Sequence, residues 1–450
     1  MPTVRRLTIA ALAAAAALSL VAAGCGGDDE SSSGGGETTT AASGGGGGNL
    51  TALPASSCSA IKGPKDADFL IASDLPLQGA GRTQTVQMTQ AINFILEQHG
   101  NEAGGHTLAY QSCDDSTAQA GKWDSGKVAA NASAYAQNDK VIGVIGTFNS
   151  GAAEIMIPVL NRAPDGPVAM VSPANTYVGL THSGAGTAAG EPDKYYPTGK
   201  RNYVRVVAAD DFQGAADAQL AKDLGLKSVF VLNDKEAYGL GVATNVRNAL
   251  NVLKVKVAGF TAWDPKASSY EAVANKIKAS GADAVFIGGL ICENGGKLVK
   301  DLRAGLGNDV TLIAPDGFTP ISAVVDGAGQ AAEGLHVSVA GLPNEQLGET
   351  GKKFVEDFQA ATGKAPDPYS VYAAQAAELL VQAIERSDGT RASVAEELFN
   401  TSIQSGILGT FDIDENGDTT SNPVTIYKVK GGESTTLKVI TPKASLVKKA

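Results

Sequence analysis

The chain has 450 residues, of which 43% are hydrophobic and 18% charged, with a net charge of −11. That composition folds rather than staying disordered, and the length exceeds one compact core, so two lobes are expected. The acidic balance excludes a nucleic-acid binder and a protein drawn to anionic membrane surfaces.

Arg5 and Arg6 precede an apolar run, Leu7 to Ala23, broken only by Thr8 and Ser19. The run is short for a membrane span and suits the core of a secretion signal. It ends in Val21-Ala22-Ala23-Gly24-Cys25, which resembles the bacterial lipoprotein cleavage motif, with Ala22 where Leu is usual. The resemblance implies a signal over 1–24 and a lipid on Cys25. The chain would then sit in the cell envelope, on the outer face of the cytoplasmic membrane or in the periplasm, held by that anchor alone. Arg5-Arg6 fits either general or twin-arginine export. Loss of the two arginines takes the net charge to −13, from −11. Residues 25–57, with Gly44 to Gly48 unbroken, read as a flexible tether that cannot bury a core. No later apolar run reaches bilayer length.

Four cysteines occur, at Cys25, Cys58, Cys113 and Cys292, with no CxxC spacing, so zinc and thioredoxin-type readings are weak. With Cys25 taken as the anchor, Cys58 and Cys113 flank early strands of the first lobe. They are expected to pair, since the compartment permits disulfides. Cys292 is left as a free, buried thiol.

Beyond the tether, strand-length apolar runs alternate with helical patterns. Strands are expected at 68–73, 106–111, 141–146 and 168–171, with helices at 84–98, 122–138 and 151–161. Gly179 to Arg201 reads as a long loop and 203–207 as a crossover strand. A second alternation follows, with helices at 213–224, 239–253, 270–280 and 296–304. Its strands fall at 229–232, 255–260, 284–288, 310–314 and 334–339. Helices at 348–362 and 369–386, a turn at 414–418 and a strand at 424–429 close the chain. The pattern predicts an α/β protein of two doubly wound, Rossmann-like lobes joined by several crossovers. The N-terminal lobe takes 58–208 and 340–421. The C-terminal lobe takes 209–339 and 422–442. Ligands of such sheets bind beyond the carboxyl ends of the strands, and two facing lobes make a cleft that can hinge shut.

The loops after the strands carry the candidate residues. Gly146-Thr147-Phe148-Asn149-Ser150-Gly151 opens a helix, where amides and the Ser150 hydroxyl suit a carboxylate. The same pattern also serves as a plain N-cap. Ser172-Pro173-Ala174-Asn175-Thr176 lies at the same edge and offers carbonyls and hydroxyls. From the second lobe come Asp316, in an Asp-Gly turn, and Tyr238, whose ring can cover a ligand. Motifs of serine hydrolases, P-loop enzymes and zinc proteases are missing, and the four histidines are scattered. Asp412-x-Asp414-x-Asn416-Gly417 begins like a calcium loop, but Pro423 stands where the twelfth-position Glu belongs. Neither catalytic residues, a metal nor a cofactor are expected.

Taken in order, these loops resemble the leucine/isoleucine/valine-binding family of periplasmic binding proteins, type I fold, over Ala67 to Val429. Asn233-Asp234-Lys235-Glu236-Ala237-Tyr238-Gly239 and Lys276 to Ala284 add to the resemblance. It implies that Ser150 and Thr176 hold a ligand carboxylate, while the Ala174 carbonyl and Asp316 hold its ammonium. It assigns ligand-binding positions to Asp210 at the crossover and to Tyr238. Asp316 stands where many relatives have Glu, and Leu75 to Arg82 and Leu290 lack aromatics that relatives place over the ligand. The implied function is an extracytoplasmic solute-binding lipoprotein of an ABC importer. It would capture a branched-chain or other apolar amino acid by hinge closure, as a monomer, with permease and ATPase on other chains. The alternatives are a binder of amides, urea or small organic acids, or a ligand-sensing receptor component.

Overall fold

The computed structural model describes residues 50–447. The expected signal, Cys25 and most of the tether lie outside them. The chain runs β1 (Phe69–Leu75), α1 (Arg82–Gln98), β2 (Glu102–Ala103), β3 (His106–Asp114), β4 (Ser116–Thr117), β5 (Lys122–Trp123), α2 (Ser125–Gln137), β6 (Val141–Gly146), α3 (Ser150–Asn161), β7 (Ala169–Ser172) and β8 (Tyr203–Arg205). It continues with α4 (Asp210–Asp223), β9 (Ser228–Asn233), α5 (Ala237–Val252), β10 (Lys256–Ala262), α6 (Glu271–Ser280), β11 (Ala284–Gly288), α7 (Gly295–Leu306), β12 (Thr311–Ala314), α8 (Ile321–Ala328) and β13 (His336–Ala340). The last part holds α9 (Glu349–Thr362), α10 (Pro368–Arg386), α11 (Arg391–Glu397), β14 (Ser402–Gly406), β15 (Gly409–Asp412), β16 (Val424–Lys430) and β17 (Glu433–Ile440).

Two sheets form. The first has the order β2-β3-β1-β6-β7-β8 and is parallel except for β2. The second has the order β10-β9-β11-β12-β13-β16-β17, with β16 and β17 antiparallel at one end. Central strands such as β6 (VIGVIG) and β11 (AVFIG) are buried along their whole length, as strands covered on both faces must be. Each sheet accordingly has a separate apolar core on either face. Between β8 and β9, and again between β13 and β16, the chain passes from one lobe's elements to the other's. In the first sheet Asp74 aligns with Cys113 and Gly146, so those strands end level at the cleft. In the second, Asn233 aligns with Gly288. The long helix α10 fills one face of the first lobe, with 14 of its 19 residues buried.

Several boundaries differ from the sequence reading. The tether does not run to residue 57. Leu50 and Leu53 are buried, and the Leu53 amide donates to Gln111 Oε1 at 2.8 Å. Two leucines in an otherwise polar tract suffice to dock it onto the first lobe. The helix expected from Lys122 begins at Ser125, because Asp124 caps it through the Lys127 amide. That leaves Lys122 and Trp123 as the short strand β5, paired with β4. The second lobe extends past 442, since Leu446 and Val447 are buried in its core. Helices α8 and α11, of 8 and 7 residues, are too short to show a clear helical periodicity in the sequence. The loop 179–201 is anchored rather than loose, with Glu191, Tyr195 and Tyr196 buried.

Candidate functional site

A cavity lies between the lobes, walled by Trp123, Phe148, Ser150, Thr176, Tyr238 and Asp316, among others. Its volume is about 20 Å³. That is room for about one water, so this is a closed cleft, and a larger ligand enters only when the lobes part.

On the first lobe, α3 opens directly after β6. Asn149 takes the cap position in extended conformation, but its side chain makes no capping bond. The first amides of α3 therefore lack the side-chain partner they usually have. Ser150 Oγ accepts from the Tyr177 amide at 3.3 Å, which leaves its own proton to donate elsewhere. Thr176 is fully buried and its hydroxyl has no partner. The two loops are tied together: Ser172 Oγ donates to the Thr147 carbonyl at 3.1 Å, and Asn175 Nδ2 to the Phe148 carbonyl at 3.0 Å. Below them Arg205, 0% exposed, donates to the carbonyls of Asn175 (3.1 Å) and Tyr177 (2.8 Å) and through Nε to Asp418 (2.6 Å). Although burial alone opposes ionisation, Arg205 and His182 hold the Asp418 carboxyl well below the usual range.

The second lobe presents acid. Asp316 Oδ1 accepts from the Tyr238 hydroxyl at 2.5 Å, and Oδ2 accepts from the Tyr369 hydroxyl. Burial raises its pKa, while the two phenols and Gln213 pull it down. Tyr238 also accepts from the Gly317 amide at 2.9 Å. Its hydroxyl is thus committed to its own lobe, and only its ring remains for a ligand. A Cβ at Gly317 would come 2.6 Å from that ring and 2.3 Å from the Gly289 carbonyl, so only glycine fits. Asp234, raised to about 8 by burial, binds the amides of Glu236 and Leu290, both at 2.9 Å, and so fixes two loops of this wall.

Of the expected residues, Ser150, Ala174, Thr176, Tyr238 and Asp316 meet in the cavity wall. Asp210 does not line it. It is completely buried at the start of α4, its amide bonded to the Thr176 carbonyl at 2.8 Å and both carboxylate oxygens unpartnered. Burial and the nearby Asp316 charge push its pKa well up. Cys58 and Cys113 form a disulfide, and Cys292 is a free, half-buried thiol. Cys25 falls outside the described residues. The wall also holds Trp123, Phe148, Glu236 and Leu290, and Tyr369 reaches Asp316 from α10. Trp123, Phe148 and Tyr369 were not singled out from the sequence. Trp123 was hidden inside an expected helix, and Tyr369 looks like any core aromatic of an apolar helix. Trp123 and Phe148 supply aromatic surface that the Leu75–Arg82 loop lacks. The turn at 414–418 proves structural, through Asp418. Among the described residues no group of three or more His, Cys, Asp or Glu could hold a metal, and no helix is long and apolar enough to cross a membrane.

A profile of periplasmic binding proteins matches residues 71–434. The chain belongs to the periplasmic binding protein family. Members of that family bind substrates and are not enzymes, and this periplasmic binding protein is a solute-binding protein. An amino acid binding protein of Pseudomonas aeruginosa is 26% identical over 383 residues, covering 84% of this chain and 95% of the relative. A Leu/Ile/Val-binding protein of Rhizobium johnstonii is 26% identical over 380 residues, covering 82% and 93%. The crystal structure of a leucine-binding protein of Thermotoga maritima superposes with a TM-score of 0.72 at 26% identity, over 83% of this chain and 99% of that one. These likenesses span both lobes, so the two-lobed α/β architecture is that of the type I binding proteins.

Proposed function

We propose that the protein is an extracytoplasmic solute-binding lipoprotein, anchored through Cys25, that delivers an apolar amino acid to an ABC importer. The observation that carries this reading is the polarity of the closed cleft. Asp316 is buried on one wall, and the uncapped start of α3 with Ser150 stands on the other. A helix N-terminus favours a carboxylate, and a buried acid favours a cation. A zwitterion satisfies both walls at once. Only such a ligand gains more from the closed state than from the open one, and that difference drives closure. In this reading Ser150 and Thr176 donate to the carboxylate, while the Ala174 carbonyl and Asp316 take the ammonium. Asp210 lies behind Thr176, and burial favours its neutral form, so it leaves the carboxylate side of the site unopposed. Trp123, Phe148, Leu290 and the Tyr238 ring surround the side chain, which suits an apolar group. The relatives named for leucine, isoleucine and valine support the same class. Permease and ATPase come from other chains.

A thermal-shift screen of the chain without residues 1–24 tests this against amino acids, their amides, decarboxylated amines and small organic acids. A truncation at Cys58 is unsuitable because it removes the buried Leu50 and Leu53. A ligand at 100 times its Kd stabilises by about 2.7 kcal/mol. Apolar amino acids are expected to raise Tm while their amides and amines do not. A rise only with amides, urea or acids lacking an ammonium would discard the two-charge site.

A further inference from the structure

A second polar contact spans the cleft, separate from the proposed carboxylate and ammonium sites. Lys122 lies on β5 of the first lobe. Its Nζ donates to Glu236 Oε1 at 3.1 Å and to Glu293 Oε1. Both glutamates belong to the second lobe, Glu236 just before α5 and Glu293 just after β11. Each is fixed from behind. Asp234 holds the Glu236 amide, and Trp263 Nε1 donates to the Glu293 carbonyl at 2.9 Å. Lys122 is fixed too, since the neighbouring Trp123 lies across the first turn of α3, where a Cβ on Gly151 would come 2.7 Å from its ring. Among the described residues no other lysine or arginine pairs with either glutamate.

Opening the lobes would separate Lys122 from both partners, so the closed form alone holds these bonds. Without Lys122 the closed wall would press two carboxylates together, one of them, Glu293, only 4% exposed. Burial already raises Glu236, and Lys122 is what pulls it back. Glu236 also lines the ligand cavity, so the charge of that wall depends on the lysine. We infer that Lys122 is a latch across the cleft: its bonds to Glu236 and Glu293 favour closure without ligand and deny the wall to a cationic ligand side chain. The second clause rests on the amino-acid reading above; the first does not.

The test compares wild type, Lys122→Met and the triple variant Lys122→Met/Glu236→Gln/Glu293→Gln. Small-angle scattering without ligand reads closure. Calorimetry with leucine and with lysine reads specificity. Lys122→Met should increase the radius of gyration, and the triple variant, which removes the repulsion but also lacks the latch bonds, should remain more open than wild type. Leucine should bind Lys122→Met about tenfold more weakly, and the leucine-to-lysine preference should fall by about tenfold or more. An unchanged radius in Lys122→Met, or a triple variant as compact as wild type, overturns the latch. If wild type binds neither probe, the amino-acid reading falls together with the specificity clause, and scattering still decides the latch.

Discussion

The site loops of the first lobe are held from below by a buried cation, and those of the second by a buried carboxyl group. Arg205 gathers the carbonyls of Asn175 and Tyr177, whereas Asp234 gathers the amides of Glu236 and Leu290. Each anchor consumes one polarity of backbone and leaves the other for the cleft. The first lobe places Ser150, Thr176 and Ala174 in the cavity wall, and the second places Asp316 and Glu236 there.

The largest effect should come from the first anchor. Arg205→Met leaves the largely buried Asp418 with His182 alone and orphans the carbonyls of Asn175 and Tyr177, and it should destabilise by about 3–5 kcal/mol in denaturant unfolding. Asp234→Ala, which orphans two amides, should cost about 1–3 kcal/mol. Equal costs would mean that the guanidinium and the carboxyl anchor support their loops alike. Next, Asp316→Ala should weaken binding of an apolar amino acid by about 100-fold or more, because it strips the cationic partner site from a buried wall. Unchanged affinity in calorimetry, with circular dichroism confirming the fold, would remove Asp316 from the site.

The hinge supplies a pH-dependent comparison. His182, on the first lobe's long loop, faces Asp418 at 2.9 Å and Asp211 of the second lobe at 3.4 Å. Burial lowers its pKa, but the hydrogen bonds to Asp211 and Asp418 outweigh it and raise the value from 6.5 to about 9. A folded-state pKa above the unfolded one means that this stabilisation is complete below about pH 6.5 and is lost as pH rises through about 9. The loss should amount to about 3 kcal/mol. His182→Gln should flatten the stability profile across that window, measured by unfolding at pH 6, 7.5 and 9. The smallest effect belongs to the neutral face. Ser150→Ala removes one uncharged donor and should weaken binding by about tenfold. A loss matching that of Asp316→Ala would erase the distinction between the faces.

Much of the site was legible because loops after strands are local in sequence. The run Gly146 to Gly151 follows an apolar strand and opens a helix, so Ser150 could be placed at a cleft edge without coordinates. Asp316 and Tyr238 follow strands in the same way. Tyr369 and Trp123 could not be found like this. Tyr369 sits 53 residues from the Asp316 it touches. Trp123 depended on where Asp124 capped the next helix. Asp210 was assigned to the ligand and instead lies behind Thr176, since its helix starts too deep for the side chain to reach the cavity.

By itself the sequence determined the alternation of strands and helices, and through it the two-lobed class and the cleft at the carboxyl edges. Those follow from hydrophobic periodicity, which local stretches of chain record. Tertiary structure decided which charges meet. The pairing of Arg205 with Asp418, 213 residues away, and of Lys122 with Glu293, 171 residues away, depends on how the lobes cross and close. Long side chains joined through space leave no periodic trace, because their attraction depends on distance and burial rather than on neighbours along the chain.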